Sequence, residues 1–290
     1  VFTLPHELNL IILNNKKVML NILFKAASKT LLSFGENELN AKLGFLATLH
    51  TWDQKLNDHF HLHCLIPGGG LSKDKNEWIS SKDDYLFNQD ALSLVFRGKF
   101  IDYMGHACKK GDLKLSTNAF KKLKNMLFEK KWVISVREPV KRPEYVLDYL
   151  ARYTHRVAIA NSRIKALKVG MVSFTAKDRK QNRTELITIS AVEFIRRFLL
   201  HSLPKRFVKI RQYGFLANRN RTENLNTIRC LLGLSAAVKS DIQPVEELML
   251  QLTGIDITTC PCCNKGKMHV FAQIPKYRDR APNSLLCAVG

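Results

Sequence analysis

Residues 44–72 read GFLATLHTWDQKLNDHFHLHCLIPGGGLS, and their pattern decides how this chain is built. Two β-rich runs, GFLATLHTW and HFHLHCLIP, flank the polar DQKLND, which predicts antiparallel neighbours. Side chains alternate along a strand, so His59, His61 and His63 share one face while Phe60, Leu62 and Cys64 share the other. The second set can pack into a core. The first leaves imidazoles side by side, where two or three of them could hold one divalent metal. Pro67 ends the strand, and Gly68 to Gly70 are expected to form the turn that closes it. These glycines do not make a phosphate cradle of the P-loop type, because no Gly-Lys-Ser/Thr follows them.

Working outward, VFTLP at the start reads as a short strand and residues 17–34 as a helix ending near Gly35. Residues 89–110 read as another helix, KWVISVRE as a strand, and RPEYVLDYLARYTHR as a helix with Pro143 at its first turn. VGMVSFTAKDRKQNRTELITIS has the form of a hairpin with a basic turn, and AVEFIRRFLLHSL that of an amphipathic helix stopped by Pro204. Strands come in adjacent pairs with short connections. That predicts an α+β fold with a mainly antiparallel sheet flanked by helices, followed by a helical, cysteine-bearing C-terminal region.

The chain has 290 residues, and 46 Lys plus Arg against 25 Asp plus Glu leave a net charge of +21. An excess of that size favours a polyanionic partner, of which nucleic acid is the usual one. Seven cysteines at irregular spacing do not form a disulfide framework, so a reducing compartment is expected. No apolar run approaches the roughly 18 residues of a membrane span, which predicts a soluble, cytoplasmic protein without a membrane partner. Val1 and VFTLPHELNL show no signal-peptide pattern, and the chain is expected to begin inside a longer protein.

In YVLDYLARYTHR, Tyr145, Tyr149 and Tyr153 recur every fourth residue and line one ridge of a helix. Val146, Leu147, Leu150 and Ala151 define its core side, which leaves Tyr149 on the flank and Tyr153 nearest the apolar border. Arg152, His155 and Arg156 are interleaved with the ridge and suited to phosphates. A phenol with a pKa near 10 is a poor nucleophile unless the phosphate it attacks is polarised, and a histidine-bound metal would do that.

With these blocks the sequence resembles the rolling-circle insertion-sequence transposases of the HUH, two-tyrosine class, the IS ninety-one / IS eight-oh-one group. HUH denotes two histidines flanking a hydrophobic residue, here His61-Leu62-His63. The likeness runs from VFTLPHEL through LHTWDQKL, HFHLHCLIPGGGLS, VFRGKF, YLARYTHRVAIANSR and FIRRFLLHSLPKRFVKIRQYGFLANR to CPCCNKGKM. The resemblance implies an HUH endonuclease-like fold and metal-dependent nicking and joining of single-stranded DNA at transposon ends and in target DNA, in a bacterial, nucleoid-associated setting. It implies that His61 and His63 hold Mg²⁺ or Mn²⁺, and that Tyr149 and Tyr153 are the family's tyrosine pair, forming a 5′-phosphotyrosine. A third ligand is expected from His59, His50 or Gln54, with His59 leading because it shares the face. Family members usually carry a cysteine-rich zinc module before the segment matching VFTLP, so the sequence is expected to be either a fragment or the product of an element that has lost that end.

FIRRFLLHSLPKRFVKIRQYGFLANRNR combines Arg196, Arg197, Lys205, Arg206, Lys209 and Arg211 with Phe207, Tyr213 and Phe215. Cations for phosphates and aromatics for unpaired bases are what a single-strand binding surface needs. Cys260 and Cys263 form a C-x-x-C knuckle, half of a tetrahedral Zn²⁺ site, with Cys262, His269 and Cys287 as candidates to complete it. The expected organisation is a nuclease core at 1–165, a basic DNA-binding hairpin and helix at 166–222, and a tail with the knuckle at 223–290. Two rival readings are a zinc-dependent hydrolase built on the same histidines and a DNA-binding remnant with no surviving chemistry.

Overall fold

The computed structural model describes residues 1–82, 86–137, 139, 146, 158–178, 181–236 and 243–269. The chain opens with β1 (Phe2–Thr3), a 3-10 turn (His6–Leu8), α1 (Asn9–Asn14) and α2 (Lys16–Glu38). Five strands and two helices follow: β2 (Ala41–Lys42), β3 (Gly44–Trp52), β4 (Asp58–Leu65), β5 (Gly69–Ser72) and β6 (Trp78–Ser80), then α3 (Gln89–Lys109) and α4 (Thr117–Glu129). Beyond them lie β7 (Ile164–Lys168), β8 (Met171–Asp178), β9 (Arg183–Ser190), α5 (Ala191–Leu200), β10 (Ile210–Gly214), α6 (Arg221–Leu231) and α7 (Val245–Thr253). No described helix is long and apolar enough to cross a membrane.

Helix α2 runs through Gly35 to Glu38, and most of its surface is buried: Met19, Leu20, Leu23, Phe24, Ala27 and Leu31 are almost fully covered, while Lys17, Lys25 and Lys29 form an exposed stripe. So broad an apolar surface has to be enclosed, and it lies between a sheet and α3. Its interior hydroxyl at Thr30 donates back to the carbonyl of Ala26 at 2.8 Å, so no polar group is stranded there. Side chains cap the other long helices: the Asn88 carboxamide oxygen accepts from the Ala91 amide, the Ser116 hydroxyl from Ala119, and the Ser190 hydroxyl from Glu193. Ser190 with Glu193 is the sequence signature of a capping box.

The fold is α+β, with antiparallel sheets flanked by helices, as the pairing of strands in the sequence predicts. The main sheet has the order β1-β4-β3-β10, a second has β2-β5-β6, and a third β7-β8-β9. In the main sheet Phe45, Ala47, Leu49, Phe60 and Leu62 are buried in the core shared with α2 and α3. Phe2, Phe96, Phe100 and Trp132 extend that core through edge-on ring contacts at centroid separations of 4.9–6.0 Å. Leu56, in the turn between β3 and β4, adopts φ 61° and plugs into a separate cluster with Ala158 and Phe174, which ties the third sheet to the first.

Two expectations need correction, and a third segment gains a structural place. Gly69 and Gly70 are not a closing turn: they lie in β5, paired with Ser80 and Ile79. A Cβ on Gly69 would come within 2.6 Å of the Ile79 carbonyl oxygen, and one on Gly70 within 2.7 Å of the Ala41 side chain, so glycine is needed for close approach rather than for a turn. KWVISVRE is not a strand, because its partner β1 is only two residues long. A single bridge joins Phe2 to Ile134, with amide bonds from Thr3 to Val133 and from Ser135 to Val1. Residues 210–214, expected within a DNA-binding surface, form β10 on the edge of β3. The helix expected over RPEYVLDYLARYTHR lies outside the described residues apart from Val146, which is helical.

The chain divides into two compact units, Val1–Ala236 and Ala237–Gly290. Residues 166–222 lie within the first, and so does α6, whose Ile228 packs with Leu71 and Phe215. In the second, α7 ends at Gly254 in the left-handed conformation, φ 69°.

Gly214 terminates β10 opposite Gly44 at φ 62°, and a Cβ there would overlap the Leu43 carbonyl oxygen. Gly214→Ala is expected to destabilise the protein by more than about 2 kcal/mol, since a left-handed backbone and a steric clash coincide. Urea denaturation monitored by circular dichroism measures it.

Candidate metal centre

The antiparallel register of β3 and β4 sets His50 directly opposite His61, and Thr48 opposite His63. Directly opposed residues share a face, so His50 joins His61 and His63 on the side of the sheet away from α2. One ligand nitrogen from each of the three lies within 4.8 Å of the others. Ring centroids are 5.3 Å apart for His50 and His61, 4.6 Å for His50 and His63, and 5.0 Å for His61 and His63. His50 and His61 are buried and His63 is half-buried, so the set sits in a wall of low polarity.

The rings are held in place by their surroundings. His61 Nδ1 lies 2.8 Å from the carbonyl oxygen of His59, and because that oxygen only accepts, the proton sits on Nδ1 and the Nε2 lone pair is left for a ligand. Burial, and then the neighbouring rings of His63, His59 and His50, hold His61 well below the ordinary histidine range, so it is neutral at pH 7. A register shift between His50 and Trp52 lets the indole stack on His50 at 5.0 Å and 14°. Trp52 in turn meets the edge of His201 at 5.9 Å. His201 is 3% exposed and bridges Thr51 Oγ1 and the Leu56 carbonyl at 3.2 Å each, a hydrogen-bonded core histidine rather than a ligand.

The candidate third ligands occupy different positions around this pair. His59 is exposed, with its ring 4.7 Å from that of His61, and stands outside the group of three. Gln54 is exposed in the β3–β4 turn, where its carbonyl accepts from Arg163. His50 completes the group, and its signal was cross-strand register rather than alternation along one strand. Cys64 faces the core as expected, where burial pushes its thiol up to about 12.

Tyr149, Tyr153, Arg152, His155 and Arg156 lie outside the described residues. Several basic residues expected on DNA are tied into the fold. Arg196 and Arg197 both donate to Glu193, at 2.6 and 2.7 Å, and hold its carboxyl down to about 2. Arg197 also donates to the Lys55 carbonyl at 3.1 Å and the Asn57 side chain at 3.3 Å, bracing the turn between the histidine strands. Arg211 lies over the Phe24 ring at 4.0 Å and donates to Asn21 at 2.6 Å. Lys205 and Arg206 are exposed, and Lys209 is half-buried. The aromatics expected to stack on bases pack inward instead: Phe215 is buried against Trp78, Tyr213 stacks on Phe45, and Phe207 leans on Phe24.

In the second unit Cys260 and Cys263 bracket a tight turn. The Cys260 amide donates to the Gly266 carbonyl at 2.7 Å, and the Gly266 amide donates to Cys263 Sγ at 3.3 Å. Hydrogen bonds from the Gly266 and Lys265 amides, and then from Cys260, lower the Cys263 thiol below its ordinary range.

The model of the Y2_Tnp family, described as "Putative transposase", matches residues 44–224, which include both histidine strands and the tyrosine segment. The chain is 41% identical over 282 residues to "Putative transposase y4qJ" of Sinorhizobium fredii (strain NBRC 101917 / NGR234), a match covering 92% of this chain and 71% of that protein. It is 26% identical over 233 residues to "Transposase for insertion sequence element IS801" of Pseudomonas savastanoi pv. phaseolicola, covering 76% of this chain. It spans 54% of the length of that second relative. No solved structure matches the chain.

If His50 belongs to the ligand set and His59 does not, His50→Ala is expected to weaken Mn²⁺ binding by roughly tenfold or more, while His59→Ala changes it by less than about threefold. Isothermal titration calorimetry on the full chain separates the two.

Proposed function

The chain belongs to the Y2_Tnp transposase family, and on that premise we propose that it nicks and joins single-stranded DNA through a tyrosine, using a divalent metal held by its histidines. The observation that supports this most is the convergence of His50, His61 and His63 on one buried wall, with their nitrogens within 4.8 Å. The donor set fits such an ion: three imidazoles, of which His61 is held neutral by burial and has its tautomer fixed by the His59 carbonyl. When bound, the metal polarises a phosphate oxygen and neutralises charge that develops on it. Imidazole is softer than oxygen, so the set suits Mn²⁺ better than Mg²⁺, which demands oxygen ligands and waters.

Tyr149 or Tyr153 supplies the nucleophile. Its oxygen bonds to phosphorus and its proton leaves to solvent, while the bond from phosphorus to the 3′ oxygen breaks and that oxygen takes up a proton. The products are a 5′-phosphotyrosine and a free 3′-OH. With two tyrosines, a second transfer can follow, in which one hydroxyl resolves the intermediate formed by the other. Arg152, His155 and Arg156 hold neighbouring phosphates. A net charge of +21 supports polyanionic partners, namely single-stranded DNA at transposon ends and target DNA, in the bacterial nucleoid. Residues 1–165 serve as the nuclease core and 166–222 as its DNA-binding extension. The tail, 223–290, carries the Cys260 and Cys263 knuckle, which takes Zn²⁺ as a structural ion.

The test incubates the protein with labelled single-stranded DNA from the element's ends and Mn²⁺, then resolves covalent adducts on a denaturing gel. An adduct is expected from the native chain. Replacing both Tyr149 and Tyr153 with Phe should abolish it, and the His61→Ala, His63→Ala pair should slow it roughly a thousandfold, the equivalent of several kcal/mol of lost phosphate polarisation. Cleavage that survives the double tyrosine replacement overturns the mechanism. Binding without cleavage makes the chain a DNA-binding remnant.

A further inference from the structure

Thr3 of β1 stands directly opposite His61 of β4, so β1 extends the histidine face sideways. There it borders a cleft of about 260 Å³, walled by β1 and the following turn on one side and by the segment from Lys130 to Val133 on the other. His59, two positions along the strand from His61, lines its inner end together with Asp58, and Lys130 and Lys131 lie on the far wall. The volume is just under the roughly 300 Å³ at which pockets for drug-sized ligands begin, which suits one base and its phosphate.

The polar groups of this cleft are incompletely matched. Among the described residues three buried side-chain atoms have no hydrogen-bond partner, and two of them, Glu7 Oε2 and Asp58 Oδ1, belong to residues that line it. Lys130 already pairs with the other oxygen of Glu7, and Lys131 pairs with Asp90 at 3.1 Å. Buried acceptors are ordinarily satisfied, and an orphan at the edge of a site points to a ligand that completes it. Carboxylate oxygens only accept, so the ligand must donate, whereas the lysines call for acceptors. A nucleobase with an exocyclic amine offers two N–H donors, one for each orphan oxygen, beside a ring nitrogen or carbonyl that accepts, whereas thymine has only its single N3–H; the phosphate offers a second anchor for lysine.

We propose that this cleft holds the nucleotide flanking the scissile phosphate and favours an amino-bearing base over thymine, with Glu7 and Asp58 as the residues that decide it. This rests on the single-strand nicking reading above. Both carboxylate oxygens are covered in the structure, so an entering base displaces a side chain of the rim to reach them. Selection then costs nothing in the free protein beyond the two unsatisfied acceptors already present, and thymine, with its single N3–H, leaves at least one of them unsatisfied.

The experiment uses the full chain, Mn²⁺ and single-stranded oligonucleotides of the element's ends in which each position flanking the nick is varied through the four bases. Fluorescence anisotropy measures binding and a denaturing gel measures adduct formation. At one flanking position an amino-bearing base should exceed thymine by roughly tenfold or more in both. Guanine against inosine, and cytosine and adenine in separate arms, show which amine is read. Glu7→Gln and Asp58→Asn, which keep side-chain volume, should reduce that ratio to under about threefold. A flat ratio at every flanking position of the native protein overturns the inference, as does a preference that persists in both variants. If no oligonucleotide gives an adduct, the nicking reading fails by itself, and the binding ratios still decide the cleft.

Discussion

The pairing of β3 with β4 is the constraint on which the rest of the molecule depends. Its register sets His50 against His61 on one face and Leu49 against Leu62 on the other. Side chains alternate with a period of two, so a slip of one residue would turn the imidazoles into the core and the leucines out of it. The cost of burying three unpaired imidazoles under α2, added to the loss of apolar contact, makes the observed register strongly preferred. The turn between the strands reinforces it. Asp53 accepts from the amides of Lys55 and Asn57 at 2.7 and 2.8 Å, and Leu56 anchors the turn in the core of the third sheet.

Enclosing α2 then dictates much of the remaining sequence. Within α2 a Cβ on Gly35 would come within 2.5 Å of the Leu43 side chain, and the strands meet one another as closely at other positions where a side chain has no room. Gly69 and Gly70 in β5 are such positions, as is Gly214, where β10 meets the Leu43 carbonyl. The histidine face is stiff for a related reason. Each ring has an aromatic or carbonyl neighbour, from Trp52 stacked on His50 to the His59 carbonyl on His61, so the ligand nitrogens are oriented before any ion arrives.

Net charge divides into two kinds once contacts are known. Arg196 and Arg197 close on Glu193, and Arg211 is spread over Phe24; these guanidiniums use their planar fork and weak hydration to hold protein together. The lysines of α4, Lys121, Lys122 and Lys124, are exposed, with flexible stems that suit a diffuse anion-attracting surface. Basic composition predicts a polyanionic partner, but which cations meet it follows from which ones the fold has already engaged.

The α+β class, the β8–β9 hairpin, the long helices and the shared face of His61 and His63 were all legible in the sequence. Each follows from periodicity, caps and turn residues that act within a few positions along the chain. The helical ridge expected for Tyr149 and Tyr153 lies outside the described residues. What only the tertiary structure decided was non-local: that His50 comes to lie with His61 and His63, that β10 completes the sheet beside β3, that Phe207, Tyr213 and Phe215 pack against other rings of the fold, and that two glycines sit in a strand. Those outcomes depend on which distant segment lies alongside, and a contact between residues 50 and 61 or 44 and 214 is set by burial and register across the fold, not by anything written in the neighbouring residues.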